Sequence, residues 1–453
     1  MKKVLVIGGG ISGIGAALLA KKQGYEVLLS DARSLPVTDK SKLEVAGVQI
    51  EEEGHSLAQA FAPDFIIKSP GVPGYLPWIK VFVDRGISVI SEIEFAARYT
   101  KGHIIGITGS NGKTTTTLLT FHLLQKHYGD RVLMAGNIGQ SMAAVLCERD
   151  ADFWVLELSS FQLEDMYATR IPTAVVLNVT PDHLDRYGYD FELYFKAKAR
   201  IAQNQLATDV LIWGGDSPSI QERISLFSGD AQHWTIQLEK HSNEAKAFLD
   251  GNSLVVRDTE NQLFSFPIDH LPLIGPHNLQ NIAASILAAH HAGMPVAAMQ
   301  EAMHDFVNAP HRLELVGELN GIRYINDSKA TNLDSTIQAL KSMDRPVVLM
   351  LGGVDKGNDY SVVSSDLRAK IKVIIAIGVD NTKIKEGFAD IRILESDSME
   401  DALHKASQLA ATGDVILLAP ACASFDRFKN YEDRGNQFRS FAQHLMSLYN
   451  GKN

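Results

Sequence analysis

Gly109–Thr117 reads GSNGKTTTT, and its reading decides the fold. The apolar run Ile104–Ile107 leads into it, and Leu118, Leu119, Phe121, Leu123 and Leu124 follow it, so a strand feeds a helix through a glycine-rich loop. Such a loop turns backbone N–H groups onto an anion, and the helix N-terminus adds partial positive charge. Lys113 then reaches terminal phosphates and a Thr hydroxyl can ligate Mg²⁺. The strict spacing asks for glycine where Ile107 stands, with Gly106 and Gly109 nearby. A polar loop that merely starts a helix is the alternative.

Working outward, 453 residues correspond to about three domains at ~150 residues each. With 45% hydrophobic and 21% charged residues the composition is that of a globular protein. A net charge of −10 speaks against non-specific binding of nucleic acid, so no such partner is expected. The apolar run Val4–Ile7 ends at Gly8, short of a signal-peptide core, and no stretch is long enough for membrane insertion. Cys147 and Cys422 are too few for a disulfide framework, which points to a reducing cytoplasm.

Upstream, in residues 1–95, Val4–Ile7 reads as a strand, Gly8–Gly13 as a turn, Ile14–Lys22 as a helix and Val27–Ser30 as a second strand ending at Asp31. Gly8, Gly10 and Gly13 match the dinucleotide fingerprint, with Asp31 near the ~20-residue distance of a ribose-binding acid. Alone this predicts a nicotinamide or flavin site, though the same glycines suit any pyrophosphate or a purely structural turn. Phe65–Ile67 is a strand whose loop, Ser69–Pro73, belongs on the binding edge of an open sheet.

Downstream, in residues 96–309, the strand Phe153–Leu158 carries Glu157 among apolar neighbours. A buried carboxylate needs a partner, either Mg²⁺ beside the phosphates or an Arg or backbone group. Ala174–Leu177 runs into Asn178–Arg186, where Asp182, His183, Asp185 and Arg186 form a metal or substrate edge; spacing alone leaves His183 equally open to packing. In the helical segment Phe191–Gln203, Lys196, Lys198 and Arg200 read as a solvated basic face. Residues 210–270 read as sheet extension, and Gly275–Asn281 opens an Ala-rich helix on which Asn278 and Asn281 share a face.

Residues 310–453 begin a third α/β unit after Ala309-Pro310. Four apolar strands each end in a small or polar loop: Asp327–Asn332, Gly352–Gly357, Gly378 and Ala419–Ser424. That is a doubly wound arrangement. The Lys and Ser side chains there suit carboxylates, or simply solvent. Cys422 reads as a packed side chain rather than a nucleophile.

Several strings go further. GSNGKTT at Gly109, GPHN at Gly275–Asn278, PHRLE at Pro310–Glu314 and NDSKATN at Asn326–Asn332 resemble the Mur ligase family, which builds the bacterial peptidoglycan precursor. ELSSFQLE at Glu157–Glu164, DHLDRY at Asp182–Tyr187, LGGVDKG at Leu351–Gly357 and PACASFDRFKNYEDRG at Pro420–Gly435 resemble its D-glutamate-adding branch.

The resemblance implies an α/β fold of three domains: a Rossmann-like N-terminal domain (1–95), a central P-loop ATPase-like domain (96–309) and a C-terminal Rossmann-like domain (310–453). It implies UDP-N-acetylmuramoyl-L-alanine and D-glutamate as substrates, ATP with two Mg²⁺ ions, and a cytoplasmic monomer. Ile11, Ser12, Gly13, Asp31, Ser69, Asn137 and Gly139 would hold the UDP substrate. Gly109, Ser110, Asn111, Gly112, Lys113, Thr114 and Thr115 would hold the ATP phosphates, and Asn278, Asn281, His311, Arg312 and Asp327 the adenosine. Thr114, Glu157, His183 and Lys198 would serve the metal ions, with Lys113, His183 and Lys198 catalytic. Thr331 and Lys356 would grip one D-glutamate carboxylate, and Ser424 with the Tyr431 backbone the other.

Lys198 aligns with a lysine that the family carbamylates. At ~4 Å and an effective dielectric of ~20, an ammonium and a divalent cation repel by about 8 kcal/mol. Reaction of the neutral amine with CO₂ reverses the sign of that interaction.

Overall fold

The computed structural model describes residues 1–239, 244–273 and 275–450, with residues 449 and 450 described by backbone alone. Their strands form three sheets. The first is parallel, in the order β3-β2-β1-β4-β5, built from β1 (Lys3–Ile7), β2 (Glu26–Ser30), β3 (Gln49–Glu51), β4 (Phe65–Lys68) and β5 (Val89–Ser91). Val4–Ile7 are fully buried, as a parallel strand covered on both faces requires. Strand order reverses between β1 and β4, so the loops after them meet at one crevice. There the Ser69 hydroxyl donates to the Gly8 carbonyl at 3.0 Å.

The first helix runs Ile11–Lys22, three residues earlier than the sequence suggested. Its first turn includes Gly13, where a Cβ would fall 1.7 Å from the Gly8 carbonyl oxygen. The helix thus begins against the turn itself, and only glycine permits that approach.

The second sheet has the order β14-β13-β12-β11-β10-β9-β6-β8-β7. Its strands are β6 (His103–Thr108), β7 (Val132–Gly136), β8 (Phe153–Glu157), β9 (Thr173–Val176), β10 (Val210–Gly214), β11 (Gln232–Gln237), β12 (Ala247–Asp250), β13 (Ser253–Arg257) and β14 (Leu263–Pro267). From β7 to β12 pairing is parallel, and two antiparallel pairings then extend the sheet through residues 247–267, as expected for that stretch. The phosphate loop leaves β6 between β8 and β9, which brings the ends of both neighbours beside it. Leu19, Phe95, Trp154 and Leu156 belong to one buried cluster that joins the first two sheets.

The third sheet comprises β15 (Glu314–Leu319), β16 (Ile322–Asn326), β17 (Val347–Leu351), β18 (Ile371–Ala376), β19 (Ile393–Glu395) and β20 (Val415–Leu418), in the order β15-β16-β20-β17-β18-β19. Only β15 is antiparallel among these described strands. Because β20 inserts between β16 and β17, the three following loops share an edge. The Asp327 N–H donates to the Leu418 carbonyl at 2.8 Å, and the Ala421 N–H to the Ala330 carbonyl at 2.9 Å. The fold is therefore the doubly wound α/β type, repeated.

Packing divides the chain into two compact units, Met1–Pro272 with Gln280–Phe306, and Leu273–Leu279 with Val307 onward. The first holds both the five-stranded and the nine-stranded sheet, and the second the six-stranded one.

Candidate active site

In the first unit, Gly109 and Gly112 sit at φ 155° and 86°, the backbone that lets the loop after β6 turn its amides inward. A Cβ on Gly112 would lie 2.4 Å from Asn281 Oδ1. The helix Lys113–Tyr128 then starts without a side-chain cap, so its N-terminus keeps its affinity for an anion. Lys113 Nζ donates to the Gly109 and Ser110 carbonyls at 2.8 and 2.9 Å, folded back over its own loop. Ser110 is held by the Thr180 carbonyl at 2.8 Å and the Tyr194 hydroxyl at 3.0 Å. The Asn111 N–H donates to Asn178 Oδ1 at 2.9 Å, and Thr115 is buried in the first helical turn.

Glu157 is brought to this loop because β8 neighbours β6. Its carboxylate accepts from the Thr114 hydroxyl at 2.7 Å and from the Asn137 amide at 2.8 Å. One carboxylate and one hydroxyl fit a Mg²⁺ ion, which is usually completed by phosphate and water oxygens rather than by a protein cage. Among the described residues no group of three or more His, Cys, Asp or Glu is arranged to hold a metal.

Lys198 corrects the expectation of a solvated basic face. On the helix Phe191–Ala199, Lys196 is exposed, whereas Lys198 is 2% exposed. Just past that helix, Arg200 is turned to the Met166 carbonyl at 2.6 Å. Lys198 Nζ donates to the Gly109 carbonyl at 2.9 Å and lies 4.9 Å from the Tyr194 ring centre. Burial, reinforced by the Lys113 charge, holds its amine well below the ordinary lysine value, against the opposing pull of Asp182 and Glu157. The result is a buried amine biased toward its neutral, nucleophilic form at the phosphate loop.

His183 stands further out. It adopts φ 51°, its side chain is 49% exposed, its ring lies 5.4 Å from that of Phe161, and Nε2 is 3.7 Å from Asp182.

At the first glycine turn, Asp31 serves the turn itself. Its carboxylate accepts from the Gly9 N–H at 2.6 Å and the Arg33 N–H at 2.8 Å. Burial tends to raise this carboxyl, but those two N–H groups and the Arg33 guanidinium outweigh it and the net shift is downward. Ser12 and Gly13 lie in the first turn of the helix, while Ile11 projects at 68% exposure. Gly139, at φ 69°, follows Asn137 beyond β7.

In the second unit, His311 is buried with its Nδ1 2.9 Å from the Asn326 amide. Burial pushes the Asp327 carboxyl up to about 7, opposed by the Leu313 N–H and by Arg312. Asn278 is buried on the helix Pro276–His291, one turn before Asn281 of the first unit, whose Oδ1 lies 3.3 Å from the Thr116 hydroxyl. Thr331 follows the Lys329 carbonyl in a tight turn, Lys356 is exposed and Ser424 is buried. The Tyr431 carbonyl accepts from the Ser328 hydroxyl at 2.8 Å, so a carboxylate there would have to meet its N–H. Cys422 is packed as expected, its thiol pushed up to about 11 by burial.

Two residues went unread in the sequence. Tyr194 sits one turn before Lys198 on the same helix face, a spacing that would have disclosed it. Arg434 is 0% exposed and donates to the Ser328 carbonyl at 2.9 Å and the Cys422 carbonyl at 3.2 Å, bracing two of the shared loops. Nothing local marks it as internal.

With this geometry in hand, comparison with known proteins is specific. Residues 107–289 match the family model described as the Mur ligase middle domain, and residues 311–422 that described as the Mur ligase, glutamate ligase domain. The chain is 44% identical over 448 residues to "UDP-N-acetylmuramoylalanine--D-glutamate ligase" of Cytophaga hutchinsonii, covering 98% of this chain and 99% of that one. It is also 44% identical over 439 residues to the protein of the same name from Porphyromonas gingivalis, covering 96% and 97%. Among solved structures, UDP-N-acetylmuramate-alanine ligase from Thermotoga maritima is similar in fold, with a TM-score of 0.59 at 19% identity, covering 99% of each chain.

Proposed function

Because the chain belongs to the Mur ligase family, we infer that it joins D-glutamate to UDP-N-acetylmuramoyl-L-alanine at the expense of ATP, forming an amide, ADP and phosphate. The observation that carries the reading at the level of chemistry is the meeting of Lys113, Thr114, Glu157 and buried Lys198 on one glycine loop.

An alanyl carboxylate oxygen attacks the γ-phosphorus of ATP, the bond to the β-phosphate oxygen breaks, and an acyl phosphate results. Lys113, the first residue of the helix after the loop, would neutralise charge on the phosphoryl oxygens, and the loop and helix N–H groups would orient them. Mg²⁺, held by Thr114 and Glu157, would shield the triphosphate when bound. The amine of D-glutamate then attacks the acyl carbon, loses a proton, and phosphate leaves. Thr331 and Lys356 would orient one glutamate carboxylate and Ser424 with the Tyr431 N–H the other. Asn278, Asn281, His311, Arg312 and Asp327 would hold the adenosine.

Ile11, Ser12, Gly13, Ser69, Asn137 and Gly139 would seat the UDP-sugar, with Asp31 acting through the turn it braces. Lys198 would act as a carbamate, its oxygens joining His183 toward a second Mg²⁺. A reaction on nucleotide substrates would belong in the cytoplasm, and a monomer is the state expected for the chain. Phosphate release should require both the muramoyl nucleotide and D-glutamate in a panel of amino-acid acceptors. ATP turnover independent of both substrates would contradict the assignment.

A further inference from the structure

The loop Ser69–Val72 and the segment Asp182–Tyr187 are far apart in the chain, 116 positions separating Pro70 from Arg186, yet Arg186 joins them while Lys68 ties the same loop to Asp165. Arg186 Nη1 donates to the Pro70 carbonyl at 2.7 Å and Nη2 to the Val72 carbonyl at 3.1 Å. Lys68, 1% exposed, donates to the same Val72 carbonyl at 3.0 Å and pairs with Asp165 at 2.8 Å. The Arg186 guanidinium lies 4.1 Å from the Phe161 ring centre and 3.8 Å from Glu164. Phe161 in turn faces the His183 ring. Two desolvated cations next to each other would be unfavourable without Asp165 and Glu164, so the arrangement is a complete, charge-balanced device rather than a chance contact.

We propose that Arg186, assisted by Lys68, is a positioning residue that fixes the Ser69–Val72 loop against the segment carrying Asp182 and His183. The nucleotide-binding crevice of the first sheet and the phosphate-loop edge of the second are thereby held in register. Arg186 supplies no nucleophile or proton; it sets where the acceptor carboxylate stands relative to the γ-phosphate, and an error of an ångström there is costly in rate. Only arginine can serve two carbonyls with one rigid fork, since lysine offers a single point of charge. The identity of the nucleotide rests on the function proposed above, whereas the clamp does not.

Two assays on Arg186→Met and Arg186→Lys test it. In the first, amide hydrogen exchange at Gly71, Val72, Gly74 and Tyr75 should accelerate about tenfold in the Met variant and less in the Lys variant, with β1 and β6 unchanged. In the second, KM for UDP-N-acetylmuramoyl-L-alanine should rise about tenfold and kcat fall about tenfold, while KM for ATP and for D-glutamate stays within about twofold. Unchanged loop exchange overturns the clamp, and a uniform rise in all three KM values overturns the positioning role. If the Met variant does not fold, the Lys variant is read in the same assays. If the wild-type chain makes no amide, the proposed function fails, and the exchange experiment alone still decides the clamp.

Discussion

The two glycine turns of the first unit use the same backbone device for different ends. In each, a buried parallel strand delivers a glycine at positive φ, Gly8 at 95° and Gly112 at 86°, and a helix starts against the turn. What differs is the charge set around them. The first turn is braced by a carboxylate, Asp31, which consumes the Gly9 N–H, and by the Ser69 hydroxyl. The second is faced by Lys113, Lys198 and Glu157. Glycine geometry suits either turn to an anion, and the neighbouring side chains differ in whether they could merely hold it or make it react. On the function proposed above, the first turn would seat a substrate and the second would run the chemistry.

The largest effect should come from removing the charge that separates the two. Lys113→Ala should lower phosphate release about 10³-fold with unfolding in urea little changed. A loss under tenfold would erase the distinction. Next, Lys198→Ala should reduce turnover about 10²-fold, and short carboxylic acids should restore part of it by standing in for the oxygens of the proposed carbamate. Intact-mass measurement of the wild type under CO₂ should show the corresponding adduct.

Gly13→Ala should act at the first turn alone, because its Cβ would collide with the Gly8 carbonyl. A stability loss of about 1–3 kcal/mol and a higher KM for the muramoyl nucleotide are expected, with KM for ATP unchanged.

The smallest effect concerns Glu92, which lies between the two sheets and accepts from the Ala143 N–H at 2.6 Å. Burial pushes its carboxyl up to about 7 from 4.5, so its favourable contribution is complete below about pH 4.5 and is lost as pH rises through 7. Glu92→Gln should flatten that fall, stabilising the chain at about pH 8 by ~1–2 kcal/mol relative to wild type, as read by urea unfolding.

Much of this was legible in the sequence, and where it was not the reasons are physical. Short apolar runs marked the inner strands because parallel strands covered on both faces cannot carry polar side chains. The lone acid Glu157 stood out for the same reason, and Gly112-Lys113-Thr114 by following such a strand in a glycine-rich loop. Lys198 stood out only through the family resemblance, because by spacing Lys196, Lys198 and Arg200 look like one basic face until the helical period is applied. Residues two apart lie on opposite sides, and Lys198 shares its side with Tyr194 instead. Asp31 was read as a ligand-binding acid; that its carboxylate also accepts from the turn depends on the position of the Gly9 N–H, which the sequence does not record. Arg186 and Arg434 act through backbone carbonyls distant in sequence, and carbonyls leave no mark in an amino-acid string.

The central claim is that ATP activates the muramoyl carboxylate as an acyl phosphate at the Lys113 loop. It is tested most directly by labelling that carboxylate with ¹⁸O and following the label with ATP and D-glutamate present. One labelled oxygen in the released phosphate for each amide formed is the expected result. Amide formation with no label in the phosphate would contradict the account.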